Sequence, residues 1–174
     1  MRFFESYELK QVSDALEIAE DATGNYYKFS ADQWKRHGYD VKTLRSLQGE
    51  EISQRAFALL HKATRSLTGF ESKTRVRDFY FICLQDHLVL GAMKRDRNLG
   101  LLPLMVYVLT HELVHIVRFC NFYQRFTAPQ GIREREEALV HRMTFEILEN
   151  ISLPRLDYVL DSYREHAICG VTVL

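Results

Sequence analysis

Two histidines and a glutamate stand within one short stretch, His111-Glu112-Leu113-Val114-His115. On a helix the two histidines lie about 40° apart on one face and one turn apart along the axis, so both imidazoles can reach one cation. Glu112 follows the first histidine directly and points to the side of that cation, where a carboxylate can accept a proton from a metal-activated water. The spacing therefore predicts a zinc site built by His111 and His115, with Glu112 as the general base.

The residues around this motif are almost all apolar, which indicates a helix that is buried on nearly every side. They are Tyr107, Val108, Leu109, Leu113, Val114, Ile116 and Val117. Burying two imidazoles and a carboxylate without partners costs several kcal/mol, and a bound zinc ion offsets that cost. The competing interpretation is a hydrogen-bonded pair of core histidines beside an incidental glutamate.

A catalytic zinc site needs a third protein ligand and an open position for water. Glu134, Glu136 and Glu137 are the candidates, on a helix predicted over 132–150. At about 100° per residue, Glu137 falls near the middle of the apolar arc, whereas Glu134 and Glu136 fall towards its margins, where long side chains reach water. Because a cation explains an interior carboxylate, we predict Glu137 as the third ligand and keep Glu134 and Glu136 as alternatives.

His141 lies one turn after Glu137 on the same side of this helix. We expect it to assist catalysis by hydrogen-bonding a zinc ligand or orienting the activated water, and the competing interpretation is a core histidine satisfied by other contacts. A donor that stabilises the oxyanion is also required. Tyr158, Tyr163 and His166 follow the helix, and the sequence does not choose among them.

The elements that must position these side chains follow from hydrophobic periodicity. Helices are predicted over 8–20, 49–65, 103–126, 132–150 and 152–165. Two β-rich runs, 79–84 and 88–93, are separated by three polar residues and predict an antiparallel hairpin. Residues 26–48 are ambiguous, with Trp34 expected in a core or an interface.

Helices, then a small sheet, then helices again indicate an α+β fold. With 47% hydrophobic residues, the chain has the composition of a globular domain with a substantial core. We predict a single domain over 1–174, in which 77–150 form the metal-binding core and 1–70 form a helical portion of uncertain role.

Charge and cysteine content exclude several classes of protein. The 23 Lys and Arg residues balance 23 Asp and Glu residues, so no basic nucleic-acid surface is expected. Three cysteines (Cys83, Cys120 and Cys169) without close spacing disfavour a disulfide framework and a four-cysteine zinc site. Cys83 and Cys120 stand in apolar runs and are predicted to be buried thiols.

Neither a signal peptide nor a membrane span is predicted. The first eight residues contain no apolar run of the kind that signal peptides carry. The most apolar stretch, 99–117, is interrupted by His111, Glu112 and His115, which a membrane span would have to bury in lipid. We therefore expect a soluble cytoplasmic protein, and the sequence leaves the oligomeric state open.

The histidine motif followed by a glutamate helix resembles the zincin metallopeptidases of the gluzincin type. His111, Glu112 and His115 match the active-site helix of those families, and Glu137, with His141 four residues later, matches their glutamate helix. The resemblance implies a small, mainly antiparallel sheet packed on the active-site helix, with additional N- and C-terminal helices.

Within the gluzincins, the segment 137–148 is similar to the glutamate helix of the ImmA/IrrE and minimal-gluzincin groups. The likeness covers about residues 77–150, and the predicted hairpin over 79–93 stands where their sheet is expected. Val140 departs from the small residue that usually stands three positions after the ligand glutamate. The resemblance implies a cytoplasmic peptidase or a protease-like stress regulator.

The leading hypothesis is therefore a zinc-dependent metallopeptidase that acts on a peptide or protein substrate. The alternative is a zinc-binding regulator or interaction protein with little or no turnover. A further possibility is latency, in which the apolar tail 166–174 fills the open metal position through His166 or Cys169.

Overall fold

The computed structural model describes residues 1–36, 38–67, 75–121 and 129–164 of the chain. In these ranges six helices and three strands form an α+β fold. The helices are α1 (Ser6–Tyr27), α2 (Ala31–Arg36), α3 (Asp86–Arg95), α4 (Leu101–Cys120), α5 (Gln130–Leu148) and α6 (Leu156–Tyr163). The strands are β1 (Tyr39–Lys42), β2 (Ala58–Leu67) and β3 (Arg75–Leu84), and two short 3-10 turns lie at Leu44–Ser46 and Gly49–Glu51.

The three strands form one sheet in the order β1-β3-β2, with β3 in the centre. The long ladder between β2 and β3 is antiparallel, and the short ladder between β1 and β3 is parallel. The sheet is therefore mixed, and its longer ladder is antiparallel, in agreement with the mainly antiparallel sheet that was expected. Both outer strands come from residues before 68, so the segment 1–70, predicted to be helical, supplies two of the three strands.

The predicted hairpin is wrong in its second strand, because residues 86–95 form α3. Val89, Leu90 and Ala92 of this segment are buried against the core, which a short helix achieves as well as a strand. A short apolar run does not distinguish the two by periodicity alone.

The true partner of β3 is β2, which replaces the second part of the helix predicted over 49–65, and a 3-10 turn stands at its start. Leu60 of this strand packs in the main core, whereas Leu59 packs in a second, smaller core beneath the 3-10 turns. A strand that is buried on both faces has no polar alternation to reveal it.

Polar side chains at the start of α3 bind the N-terminal segment and the 3-10 turns to the end of β3. The carboxylate of Asp86 accepts hydrogen bonds from the backbone N–H groups of Phe4 (2.9 Å) and Leu44 (3.0 Å). The amide oxygen of Gln85 accepts another from the N–H of Ser53 (2.9 Å). Asp86 and Gln85 are both buried, so these contacts satisfy backbone donors inside the protein.

Helix α4 runs through the middle of the molecule and is covered by α1, α5, α6 and the sheet. It is long and apolar enough to cross a membrane, but 94% of that stretch is buried by the protein's own elements. Core helices of globular proteins have the same length and composition.

Other predictions are met in part. Helix α1 includes the predicted 8–20 and continues until Lys28 adopts a left-handed conformation (φ 56°). Helix α6 is shorter than the predicted 152–165, since Pro154 and a left-handed Arg155 precede it. Trp34 is buried, as are the thiols of Cys83 and Cys120, which confirms those expectations. The predicted end of α4 over 122–126 and the tail 166–174 lie outside the described residues.

Candidate metal centre

The candidate site lies where α5 crosses α4. Tyr107 of α4 contacts His141 of α5, while Arg118 further along α4 contacts both Glu136 and Met143 of α5. The apolar residues of α4 hold its polar face against α5, because the other sides of α4 are packed in the core.

Between these two outer contacts, the structure brings the predicted ligand residues together. Nε2 of His111 lies 2.8 Å from Oε1 of Glu137, and Nε2 of His115 lies 3.1 Å from Oε2 of the same carboxylate. One candidate ligand atom from each of the three residues lies within 4.8 Å of the others. His111 and His115 are 0% and 1% exposed, whereas the Glu137 side chain is 19% exposed.

The three glutamates of α5 have different partners. Glu137 faces the histidines, and Glu134 is exposed and accepts a hydrogen bond from Gln130 (3.1 Å). Glu136, expected to reach water, is instead buried in an ion pair with Arg118. That expectation was wrong because Arg118, from the neighbouring helix, covers this margin of α5.

Burial and hydrogen bonding set the charge states of the site. Burial raises the pKa of Glu137, but the hydrogen bonds to His111 and His115 outweigh it and hold that pKa well below its usual range. Burial lowers the pKa of His115, and the carboxylate only partly offsets this. For His111 the order is reversed, because burial lowers its pKa but the contacts with Glu137 raise it more. An ionised carboxylate and a neutral imidazole are the forms that bind metal.

This donor set fits zinc. Two imidazole nitrogens and one carboxylate form a common ligand set of catalytic zinc sites. Both histidines present Nε2 to the carboxylate, while their Nδ1 atoms have no hydrogen-bond partner in the described part of the chain. Zinc-binding histidines usually donate their second N–H to an acceptor, and the described residues do not supply one.

Glu112 is fully buried on α4, directly after His111. The negative charge of Glu112 helps to raise the pKa of His111, so the carboxylate is close enough to interact with this candidate ligand. The residue predicted as the general base thus lies inside the protein beside the site.

His141 uses both ring nitrogens in contacts with groups other than the candidate ligands. Its Nε2 lies 3.0 Å from the backbone carbonyl oxygen of Arg164, and its Nδ1 lies 3.1 Å from the hydroxyl of Tyr107. A carbonyl only accepts, so in neutral His141 Nε2 carries the proton and Tyr107 donates to Nδ1. These contacts agree with the interpretation of a satisfied histidine, and its role in orienting water stays a prediction.

The candidate oxyanion donors lie in different surroundings. The hydroxyl of Tyr158 donates to Asp96 (2.6 Å), and the ring of Tyr163 stacks on that of Tyr107 with 6.0 Å between centroids. His166 lies outside the described residues. None of these contacts singles out an oxyanion donor.

No known protein family, curated protein or solved structure matches this chain. The chemistry of the site is therefore inferred from its own side chains.

Sequence reasoning missed the ion pair between Arg118 and Glu136. The signal was present, because Arg118 is a basic residue in a mostly apolar helix, three positions after His115. A buried arginine requires an acidic partner, and the acidic cluster on α5 offered one.

Proposed function

We propose that this chain is a zinc-dependent peptidase with a zincin-like fold, in which His111, His115 and Glu137 hold the metal. The proposal rests on the convergence of two imidazoles and one carboxylate from two helices within reach of a single cation. A cluster of this kind, buried inside the crossing of two helices, is what a cation of fixed coordination requires.

The proposed reaction is the hydrolysis of a peptide bond by water. When bound, zinc supplies a Lewis acid that polarises the peptide carbonyl and lowers the pKa of water. The carboxylate of Glu112 accepts a proton as the water oxygen forms its bond to the carbonyl carbon. It then passes that proton to the nitrogen of the leaving amine as the carbon–nitrogen bond breaks. The position of Glu112 directly after His111 on α4 supports this role.

The arrangement of the sheet also supports the zincin-like assignment. β2 and β3 pack against α4, as the resemblance to gluzincins implies for an active-site helix. The resemblance to gluzincins covers only residues from about 77 onward. The proposed domain also includes α1, β1 and β2, which precede that point in the sequence.

The test combines metal analysis with an assay of peptide cleavage. We expect wild-type protein to bind one zinc per chain and to cleave denatured casein or a peptide library. Glu112→Gln should keep the zinc and lose cleavage, whereas Glu137→Gln should lose most of the zinc. Glu134→Gln is the matched control on the same helix. Its carboxylate is exposed and accepts a hydrogen bond from Gln130, which is not a candidate ligand. If Glu137→Gln retains zinc as well as the control does, the ligand assignment is refuted.

A second candidate function is a regulator in which zinc joins α4 to α5 without turnover. The observation that favours it is the burial of His111, Glu112 and His115, each of which is at most 1% exposed. Residues that are closed off from solvent give a substrate little access, as expected for a zinc ion that only joins two helices. One zinc per chain, with no cleavage of any substrate and no effect of Glu112→Gln, would support this candidate over the peptidase.

A further inference from the structure

A buried ion pair lies directly beside the candidate metal centre. Arg118 stands three residues after His115 on α4, and Glu136 immediately precedes Glu137 on α5. The guanidinium donates to both carboxylate oxygens, through Nε to Oε1 and through Nη2 to Oε2 (3.0 Å). Each residue is only 9% exposed, so the pair is shielded from water.

This pair also reaches the first helix of the chain. The Nη1 atom of Arg118 lies 3.7 Å from the sulfur of Met143, and the hydroxyl of Tyr27 donates to the same sulfur (3.2 Å). Tyr27 and Arg118 thus share the sulfur of Met143 as a partner. The guanidinium therefore lies where α1, α4 and α5 meet.

Stability alone is a weak explanation for such a pair. The desolvation of two buried charges largely cancels their attraction, and well-packed apolar residues often serve equally well. A two-pronged arginine–carboxylate contact does provide geometric specificity, because both bonds form only at one relative position of the two side chains. The pair thus defines how α5 is placed on α4.

The placement matters because Glu136 and Glu137 are adjacent. A shift of α5 by one residue moves each side chain by about 1.5 Å along the axis and about 100° around it. That shift would turn Glu137 away from His111 and His115. Arg118 also balances the negative charge of Glu136, whereas Glu137 is the carboxylate that faces the imidazoles.

We propose that Arg118 and Glu136 are a positioning pair, which sets the register of α5 on α4 and thereby the zinc affinity of His111, His115 and Glu137. The inference rests on the proposed zinc site. It adds a role for two residues that contact neither the metal nor the substrate. Groups that orient metal ligands typically change metal affinity by about 10- to 100-fold when they are lost.

The experiment measures the zinc Kd of the full chain by competition with a chromophoric chelator, and the stability of the metal-free protein by urea unfolding. The main variant is the double substitution Arg118→Met/Glu136→Leu, which removes both charges together and leaves neither unpaired. We expect its stability to stay close to that of wild type and its zinc Kd to be weaker by about 10- to 100-fold. Zinc at saturation should remain one per chain.

The matched control makes the same exchange at Lys62→Met/Asp78→Leu. This ion pair (2.8 Å) joins β2 to β3 and includes no residue of α4 or α5. Its zinc Kd should equal that of wild type. Should the double apolar variant of Arg118 and Glu136 fail to fold, Arg118→Lys gives the second measurement, since lysine keeps the charge but cannot form the two parallel bonds. The same weakening of Kd is expected.

The outcomes separate the two proposals. Wild-type protein that takes up no zinc refutes the proposed function, and the positioning role fails with it. Wild-type protein that binds zinc, together with folded variants that bind it equally tightly, refutes the positioning role alone.

Discussion

Asp86 offers a direct test of the fold around β3 and α3. Its carboxylate is buried and accepts hydrogen bonds from the backbone N–H groups of Phe4 and Leu44, which belong to segments far away in the sequence. Both donor residues are themselves buried, so no water would replace the lost acceptor. We expect Asp86→Ala to destabilise the protein.

The magnitude follows from the two contacts. Each buried N–H left without a partner costs about 1–3 kcal/mol, and removing the buried carboxylate recovers part of its desolvation cost, so the net loss is about 2–4 kcal/mol. Asp86→Asn keeps one acceptor oxygen and should lose about half as much. For a chain of this length, about 2–4 kcal/mol corresponds to a Tm lower by roughly 4–16 °C.

The assay is equilibrium urea unfolding followed by circular dichroism, with Asp14→Ala as the control. The side chain of Asp14 is 47% exposed and pairs with Lys10 within α1, so its loss should cost at most about 0.5 kcal/mol. If residues 85–87 were the exposed turn of a hairpin, Asp86→Ala would be equally mild. A change in unfolding free energy no larger than that of the control would therefore refute the helical start of α3 and the contacts assigned to Asp86.

Two further predictions concern the metal centre. Zinc at about 100 times its Kd should stabilise the wild-type protein by about 2.7 kcal/mol, or roughly 5–11 °C in Tm, relative to protein in EDTA, and scanning calorimetry that gives the same melt in both conditions would contradict this. In metal-free protein, the pKa of Glu137 is lower in the folded than in the unfolded state. The ionised carboxylate therefore stabilises the fold above the unfolded pKa, and this stabilisation is lost as the pH falls from the unfolded towards the folded pKa. In metal-free protein, a carboxylate titration followed by NMR should therefore place the pKa of Glu137 below its ordinary value of 4.5; a pKa at or above that value would show that the contacts with His111 and His115 do not stabilise the ionised carboxylate.

The candidate ligand cluster could be predicted from the sequence because it depends on local regularity. One turn of helix separates His111 from His115, and the angle of Glu137 within the apolar arc of α5 was enough to prefer it over Glu134 and Glu136. Packing of two apolar helix faces then brings the three side chains together without further information.

The sheet could not be predicted in the same way. Leu59 and Leu60 face different cores, so β2 lacks the alternation that reveals a half-buried strand. Val89 and Leu90 belong to a run whose composition is typical of a strand, although the run forms a helix. That helix begins at Asp86, whose carboxylate binds the backbone N–H of the distant Phe4. The pairing of Glu136 with Arg118 was missed because the angle of Glu136 on its own helix indicated water, and that angle does not include the buried arginine of the neighbouring helix.

The order of elements along the chain has a consequence for how the protein is made. Helix α4 is the most apolar segment, and most of the surfaces that cover it (α1, β2 and β3) precede it in the sequence. During synthesis from the N-terminus, these surfaces leave the ribosome before α4 does. The helix can therefore be buried soon after it emerges, which limits the time in which its apolar faces could associate with other nascent chains.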